Sequence, residues 1–134
     1  MRHIKWFDDY DTGIEDIDTE HRRLAEHLNE FFATCDSSCE PAVMVRILET
    51  LLRETQRHFA HEEEIMAKVG FPGLDGHRVG HTALIDELHD TIDSFRAGVT
   101  AELTAKTTQM LEDWLLHHIL NEDKKIGKHT GAID

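Results

Sequence analysis

Basic residues are scarce in this chain. Only 14 Lys and Arg stand against 27 Asp and Glu, giving a net charge of −13 with neutral histidines. Such an excess repels phosphate backbones and anionic headgroups, which argues against nucleic acid and membrane surfaces as partners. Long apolar runs are missing too: nothing approaches the roughly 18 apolar residues of a membrane-spanning helix. No apolar signal-type segment follows Arg2, so the expected location is cytoplasmic. The first ten residues, with Trp6, Phe7 and Tyr10, are expected to form an ordered arm packed on the body of the protein. Cysteine is limited to Cys35 and Cys39, one C-x3-C without a second pair. That is a poor zinc signal and no proof of an oxidising compartment, and both are expected as ordinary cysteines in the first interhelical connection. Strand alternation, internal repeats, low-complexity tracts and linkers are absent as well. What remains is a single helical domain over residues 1–134.

The helices announce themselves by period. From Asp18 onward His21, Leu24, Leu28 and Phe31/Phe32 recur on one face, with Arg22, Arg23, Glu26 and Asn29 opposite. Pro41 suits a first helical residue, and Met44, Leu48, Leu51, Thr55, His58, Glu62, Ile65, Met66 and Val69 continue a second stripe up to the Gly70-Phe71-Pro72-Gly73 break. Asp75 is a reasonable N-cap for a third helix carrying His77, His81, Leu84, Leu88, Ile92 and Phe95, which ends near Gly98. Thr100 caps a fourth, where Leu111, Trp114, Leu115, His118 and Ile119 share a face before Gly127 closes it. Four helices with short connections predict an all-α, antiparallel up-down-up-down bundle.

Inside those stripes lie groups that do not belong in an apolar core. Positions i and i+4 of a helix stack on one face about 6 Å apart in rise, so His58/Glu62 and His77/His81 each aim two ligand-type side chains one way. Any one of them alone would pass for a hydrogen-bonded core residue. Together with His21 and His118 they would impose a severe desolvation cost unless a cation compensated it. Imidazole mixed with carboxylate suits iron, manganese or zinc rather than calcium or magnesium. On spacing, the carboxylate partner of His118 is Glu122, since Asp123 is five residues away and about 140° round an ideal helix. The other histidines, His3, His27, His61, His89, His117 and His129, fall off the stripes or in terminal segments and are expected at the surface.

The segments Ile4-Lys5-Trp6, Tyr10 to Ile17 followed by Asp18-x-x-His21, His58-Phe59-x-x-Glu62-Glu63-x-x-Met66, His77-x-x-x-His81 and Trp114-x-x-x-His118-Ile119-x-x-x-Asp123 resemble the bacterial hemerythrin family over essentially the whole chain. The resemblance implies a four-helix bundle around two iron ions (Fe2+/Fe3+) with an oxo or hydroxo bridge. It implies that His77, His81 and His118 hold one iron, that His21 and His58 hold the other, and that Glu62 and Asp123 bridge them. Here it prefers Asp123 where spacing prefers Glu122. Its implied activity is reversible dioxygen binding for storage or delivery, the gas held as hydroperoxide on the five-coordinate iron, with no turnover. The family's pocket positions map to Leu24, Phe59, Trp114, Leu115 and Ile119, whose apolar walls would exclude water. Two other functional classes stand beside this one: an oxygen- or redox-sensing domain of a signalling protein, and a di-iron enzyme acting on peroxide or nitric oxide. A ferritin-like oxidase fits poorly, because no Glu is followed three residues later by His.

Overall fold

A computed structural model describes residues 2–37 and 40–134; Cys39 lies outside the described residues. After a short 3-10 turn at Asp8–Tyr10 come α1 (Glu15–Ser37), α2 (Pro41–Lys68) and α3 (Leu74–Ala97). The fourth rod has three parts, α4 (Ala101–Asp113), a π-helical segment (Trp114–Ile119) and α5 (Leu120–Thr130). Its junction residues Asp113, Trp114, Ile119 and Leu120 all keep right-handed helical torsions, so the rod is continuous. The arrangement is an all-α four-helix bundle, with no strand among the described residues.

Each helix starts for a local reason. Thr100 Oγ1 accepts from Leu103 N at 3.0 Å and satisfies one of the free donors opening α4. Pro41 occupies the opening turn of α2, where its missing N–H costs nothing. At α1 the buried Asp18 reaches back over the entry: Oδ1 accepts from Thr12 N at 2.7 Å and Thr12 Oγ1 at 2.8 Å, and Oδ2 from Gly13 N at 3.1 Å. That fixes the angle at which the arm meets the bundle, and α1 begins at Glu15, ahead of Asp18.

Several boundaries differ from expectation. Gly73, rather than Asp75, precedes α3, and Asp75 lies in the first turn, where an acidic side chain still favours the positive helix end. Cys35 is half-buried on the last turn of α1 and not in a connection, because α1 runs on to Ser37. Within the arm, Ile4 is buried, with its backbone clamped by Asn29 (2.6 and 2.9 Å), and Trp6 and Tyr10 are half-buried. Phe7 is 49% exposed; it lies edge-on to Tyr10 instead of entering the core.

Gly127 does not close the fourth rod. The helix continues to Thr130, and the left-handed residue that ends it is Gly131 (φ +81°). Gly127 is needed for closeness instead: a Cβ there would lie 2.0 Å from the Thr12 carbonyl oxygen, and Asp18 prevents Thr12 from moving away. Alanine within a helix ordinarily gains stability over glycine. Here overpacking dominates, so Gly127→Ala is expected to cost about 1–3 kcal/mol, read as a lowered denaturation midpoint.

The core is divided along the bundle axis. Leu28, Phe31, Met44, Leu48, Ile92 and Phe95 make a wholly apolar half, where the Phe31 and Phe95 rings meet edge-on at 6.0 Å. Toward the other half the buried positions become Thr55, His58, Glu62, His21, His81 and Asp123. No described helix is long and apolar enough to cross a membrane.

Candidate metal centre

Four rods converge on this polar half. His21 of α1, His58 and Glu62 of α2, and Asp123 of α5 are all buried and bring one potential ligand atom each within 4.8 Å of one another. His77 and His81 of α3 complete the ring around the two carboxylates. Their order around the carboxylates is informative. Glu62 Oε2 lies 3.1 Å from His58 Nε2 and 3.8 Å from His21 Nε2, whereas Glu62 Oε1 lies 3.2 Å from His81 Nε2. Asp123 repeats the pattern, with Oδ2 2.9 Å from His21 Nε2 and 4.0 Å from His58 Nε2, and Oδ1 3.2 Å from His77 Nε2. Each carboxylate therefore turns one oxygen to the His21/His58 pair and the other to the His77/His81 pair.

All four imidazoles present Nε2 inward. Behind three of them Nδ1–H donates outward: His58 to Glu20 Oε1 at 3.0 Å, His81 to Glu63 Oε2 at 3.2 Å, and His77 to the Gly73 carbonyl at 3.3 Å. Such backing fixes ring orientation and leaves the inner nitrogen as the lone-pair donor, the arrangement ligating histidines need. Hydrogen bonding satisfies only the Asp123 side of the interior, where His21 Nε2 and His77 Nε2 meet its oxygens at 2.9 and 3.2 Å. Both Glu62 oxygens and His58 Nε2 are buried without a hydrogen-bond partner among the described groups. Orphaned acceptors facing imidazole nitrogens in a site this dry fit a bound cation, which supplies what neither partner can.

Protonation shows the same conflict. Burial and the adjacent Glu62 carboxylate push Asp123 well above the usual range. Burial would raise Glu62 too, but the His58 and His81 imidazoles hold it well below. Burial, joined by the nearby His58 charge, drives His21 down to about 3. It also opposes a charged His58, yet the hydrogen bond to Glu20 and the Glu62 carboxylate raise that group to about 10. For His77 the contact with Asp123 wins over partial burial and raises it.

His118 stands apart. It is exposed, and the structure does not bring it into the cluster. It lines, with His77, His81, Phe59, Ile119 and Asp123, a cavity of about 430 Å³ between α3 and the fourth rod. The expected stripe assumed α-helical phase through residues 111–119. The π segment, closed by Leu120 N–H to Leu115 carbonyl, widens the turn and gives the inward face to Trp114, Leu115 and Ile119. The same segment bears on the choice of carboxylate, since Asp123 is buried whereas Glu122 is half exposed and paired with Lys125 at 3.0 Å.

Leu24, Phe59, Trp114, Leu115 and Ile119 are all buried. Phe59 stacks flat on His81 with centroids 3.7 Å apart and meets Trp114 edge-on at 6.2 Å, so part of this apolar wall touches the histidine ring directly. Two surface expectations need correction. His27 is half-buried, and His61 is also half-buried because its Nδ1 bonds Glu20. Sequence reasoning missed Glu20 and gave Glu63, though part of the quoted motif, no role; the available signal was adjacency, since Glu20 precedes His21 and Glu63 follows Glu62.

Comparison with known proteins gives one answer. Residues 12–129 match the hemerythrin HHE cation binding domain. The chain is 32% identical over 132 residues to a bacteriohemerythrin of Stenotrophomonas maltophilia, spanning 98% of this chain and 84% of that protein. It is 32% identical over 123 residues to one of Pseudomonas aeruginosa, spanning 92% and 78%. A crystal structure of a hemerythrin mutant superposes with a TM-score of 0.84 at 24% identity, covering 96% of this chain and 98% of that one, which supports the bundle fold. With these matches covering the residues that build the cluster, the chain belongs to the hemerythrin HHE cation-binding domain family.

Proposed function

We propose that the cluster holds two iron ions and that the protein binds dioxygen reversibly there, for storage or delivery, without turnover. The observation that carries this reading is the splitting of both carboxylates: Glu62 and Asp123 each face one histidine pair with one oxygen and the second pair with the other. Residues set out in this way suit two cations sharing two anionic bridges, whereas a single tetrahedral ion needs only four ligands. His21 and His58 would hold one ion, and His77 and His81 the other. His118 is assigned to the second ion from the rim of the cavity it shares with His77 and His81.

The iron pair, when bound, supplies the electrons that dioxygen takes up reversibly. The chain supplies orientation and dryness. Outer acceptors behind His58, His77 and His81 hold their inner nitrogens in place, and Phe59, Trp114, Leu115 and Ile119 exclude water from the interior. A dry wall suppresses protonation and hydrolysis, the reactions that would make binding irreversible.

Protein loaded with ferrous iron without air should contain about two irons per chain, as a shared-carboxylate site requires. Its spectrum should change on exposure to dioxygen and return on evacuation. A single zinc per chain would defeat the metal assignment; a spectrum that never returns, with peroxide or nitric oxide consumed catalytically, would point to an enzyme instead.

A further inference from the structure

Glu20 precedes His21 on α1, and successive helical positions diverge by about 100°, so α1 delivers one side chain to the cluster and the previous one to its flank. There Glu20 meets α2. Its Oε1 accepts from His58 Nδ1 at 3.0 Å and His61 Nδ1 at 3.1 Å, and its Oε2 lies 3.1 Å from the same His61 nitrogen. His58 and His61, three residues apart, share the helix face that α1 covers. The Glu20 side chain is 25% exposed and that of His61 36%, so the trio leads from the surface to the buried His58.

We infer that Glu20 is a positioning residue of the metal centre: it accepts the Nδ1 proton of His58, fixes the tautomer whose Nε2 faces Glu62 and Asp123, and is itself held in place by His61. The inference rests on the metal reading proposed above. Contrast with the other imidazoles singles Glu20 out. His21 Nδ1 is buried with no hydrogen-bond partner among the described groups. His77 Nδ1 has a neutral carbonyl behind it. His81 is backed by Glu63, but that carboxylate also takes Arg78 Nε at 3.1 Å, which offsets its charge. In the His21/His58 half, therefore, Glu20 is the one carboxylate among the described residues that hydrogen-bonds the outer nitrogen of an inward-facing histidine. A carboxylate there makes the imidazole a stronger donor to a metal. The metal of that half should depend on Glu20, and its partner should not.

The test uses the iron-loaded protein and a chelator, following metal loss and the visible spectrum together. In Glu20→Ala one iron is expected to leave roughly 10–100-fold faster than in the parent, ahead of the other. Glu20→Gln, which keeps an acceptor oxygen but not the charge, should fall between them. His61→Gln, which leaves Glu20 intact but less constrained, should show a smaller acceleration of the same iron. A purely structural role for Glu20 would speed both irons equally, and that result would overturn the inference, as would release at the parental rate in all three variants. Failure of the parent protein to take up iron would instead overturn the metal reading on which the inference stands.

Discussion

Asp123→Ala is expected to abolish the paired metal site, while Glu122→Ala keeps it. The two residues are neighbours in sequence and opposites in environment. Asp123 is fully enclosed and splits its oxygens between His21 and His77, at 2.9 and 3.2 Å; Glu122 is half exposed and bonds Lys125. Removing an outer hydrogen-bond partner of a ligand typically weakens a metal site by roughly 10–100-fold. Loss of a carboxylate that contacts both histidine pairs should exceed that. Loss of an exposed ion pair is worth about 0–1 kcal/mol in stability, so Glu122→Ala should be nearly silent. Because Asp123→Ala also leaves a buried gap, Asp123→Asn serves as the isosteric control: it should fold, since burial already favours the uncharged form of this group, and still fail to hold two metals. Metal analysis by mass spectrometry of the three variants decides the matter. Two irons retained in Asp123→Asn, or two lost in Glu122→Ala, would assign the bridge wrongly.

Metal-free protein is expected to lose stability as pH rises from about 6.5 to about 10, whereas loaded protein stays nearly level. The folded state raises His58 from 6.5 to about 10, so it holds a proton there that the unfolded chain has released. The stabilisation from His58 is therefore fully present below pH 6.5 and is lost on the way to 10. His77 and Asp123 are raised as well, and their contributions also disappear as pH rises through their folded values. On the acid side the sign reverses for His21, held at about 3: stability falls as pH drops below 6.5 because the unfolded chain gains a proton that the folded one refuses. Glu62, lowered, adds to that loss, while Asp123 opposes it, so the alkaline limb is the clean diagnostic. Metal binding displaces these protons and ties the ligands to the folded state, which flattens the profile. Urea denaturation midpoints at pH 6.5 and 9.5, with and without iron, measure it. A flat metal-free profile would contradict the buried, proton-sharing cluster.

The bundle was legible because its signals are local and repeated. Leu24, Leu28 and Phe31, or Met44, Leu48 and Leu51, recur at helical spacing, and Pro41 and Thr100 mark starts by simple chemistry. Six of the seven candidate ligands meet, since i,i+4 pairing survives in regular helices: His58 with Glu62, and His77 with His81. The exceptions lie where regularity stops. No residue between 114 and 119 advertises a π segment, so helical arithmetic carried His118 inward and preferred Glu122 to Asp123. Glu20 was passed over for a different reason: its one sequence signal was adjacency to His21, and the contact itself is set by α1 against α2. Gly127 was read as a terminator because glycine often is one; the approach of Thr12, 115 residues earlier, was the actual cause.

The π segment makes the fourth rod behave as two helices with a fixed phase offset. Upstream of it, Leu111 keeps an α-helical relation to the bundle; downstream, Asp123, Ile126 and Gly127 keep another. Winding residues 114–119 as plain α-helix with all six residues kept would rotate everything beyond by about 100°. That rotation would carry Gly127 away from Thr12 together with Asp123 from the histidines, so the seat of the N-terminal arm and the chemistry of the core are locked to a single angular setting.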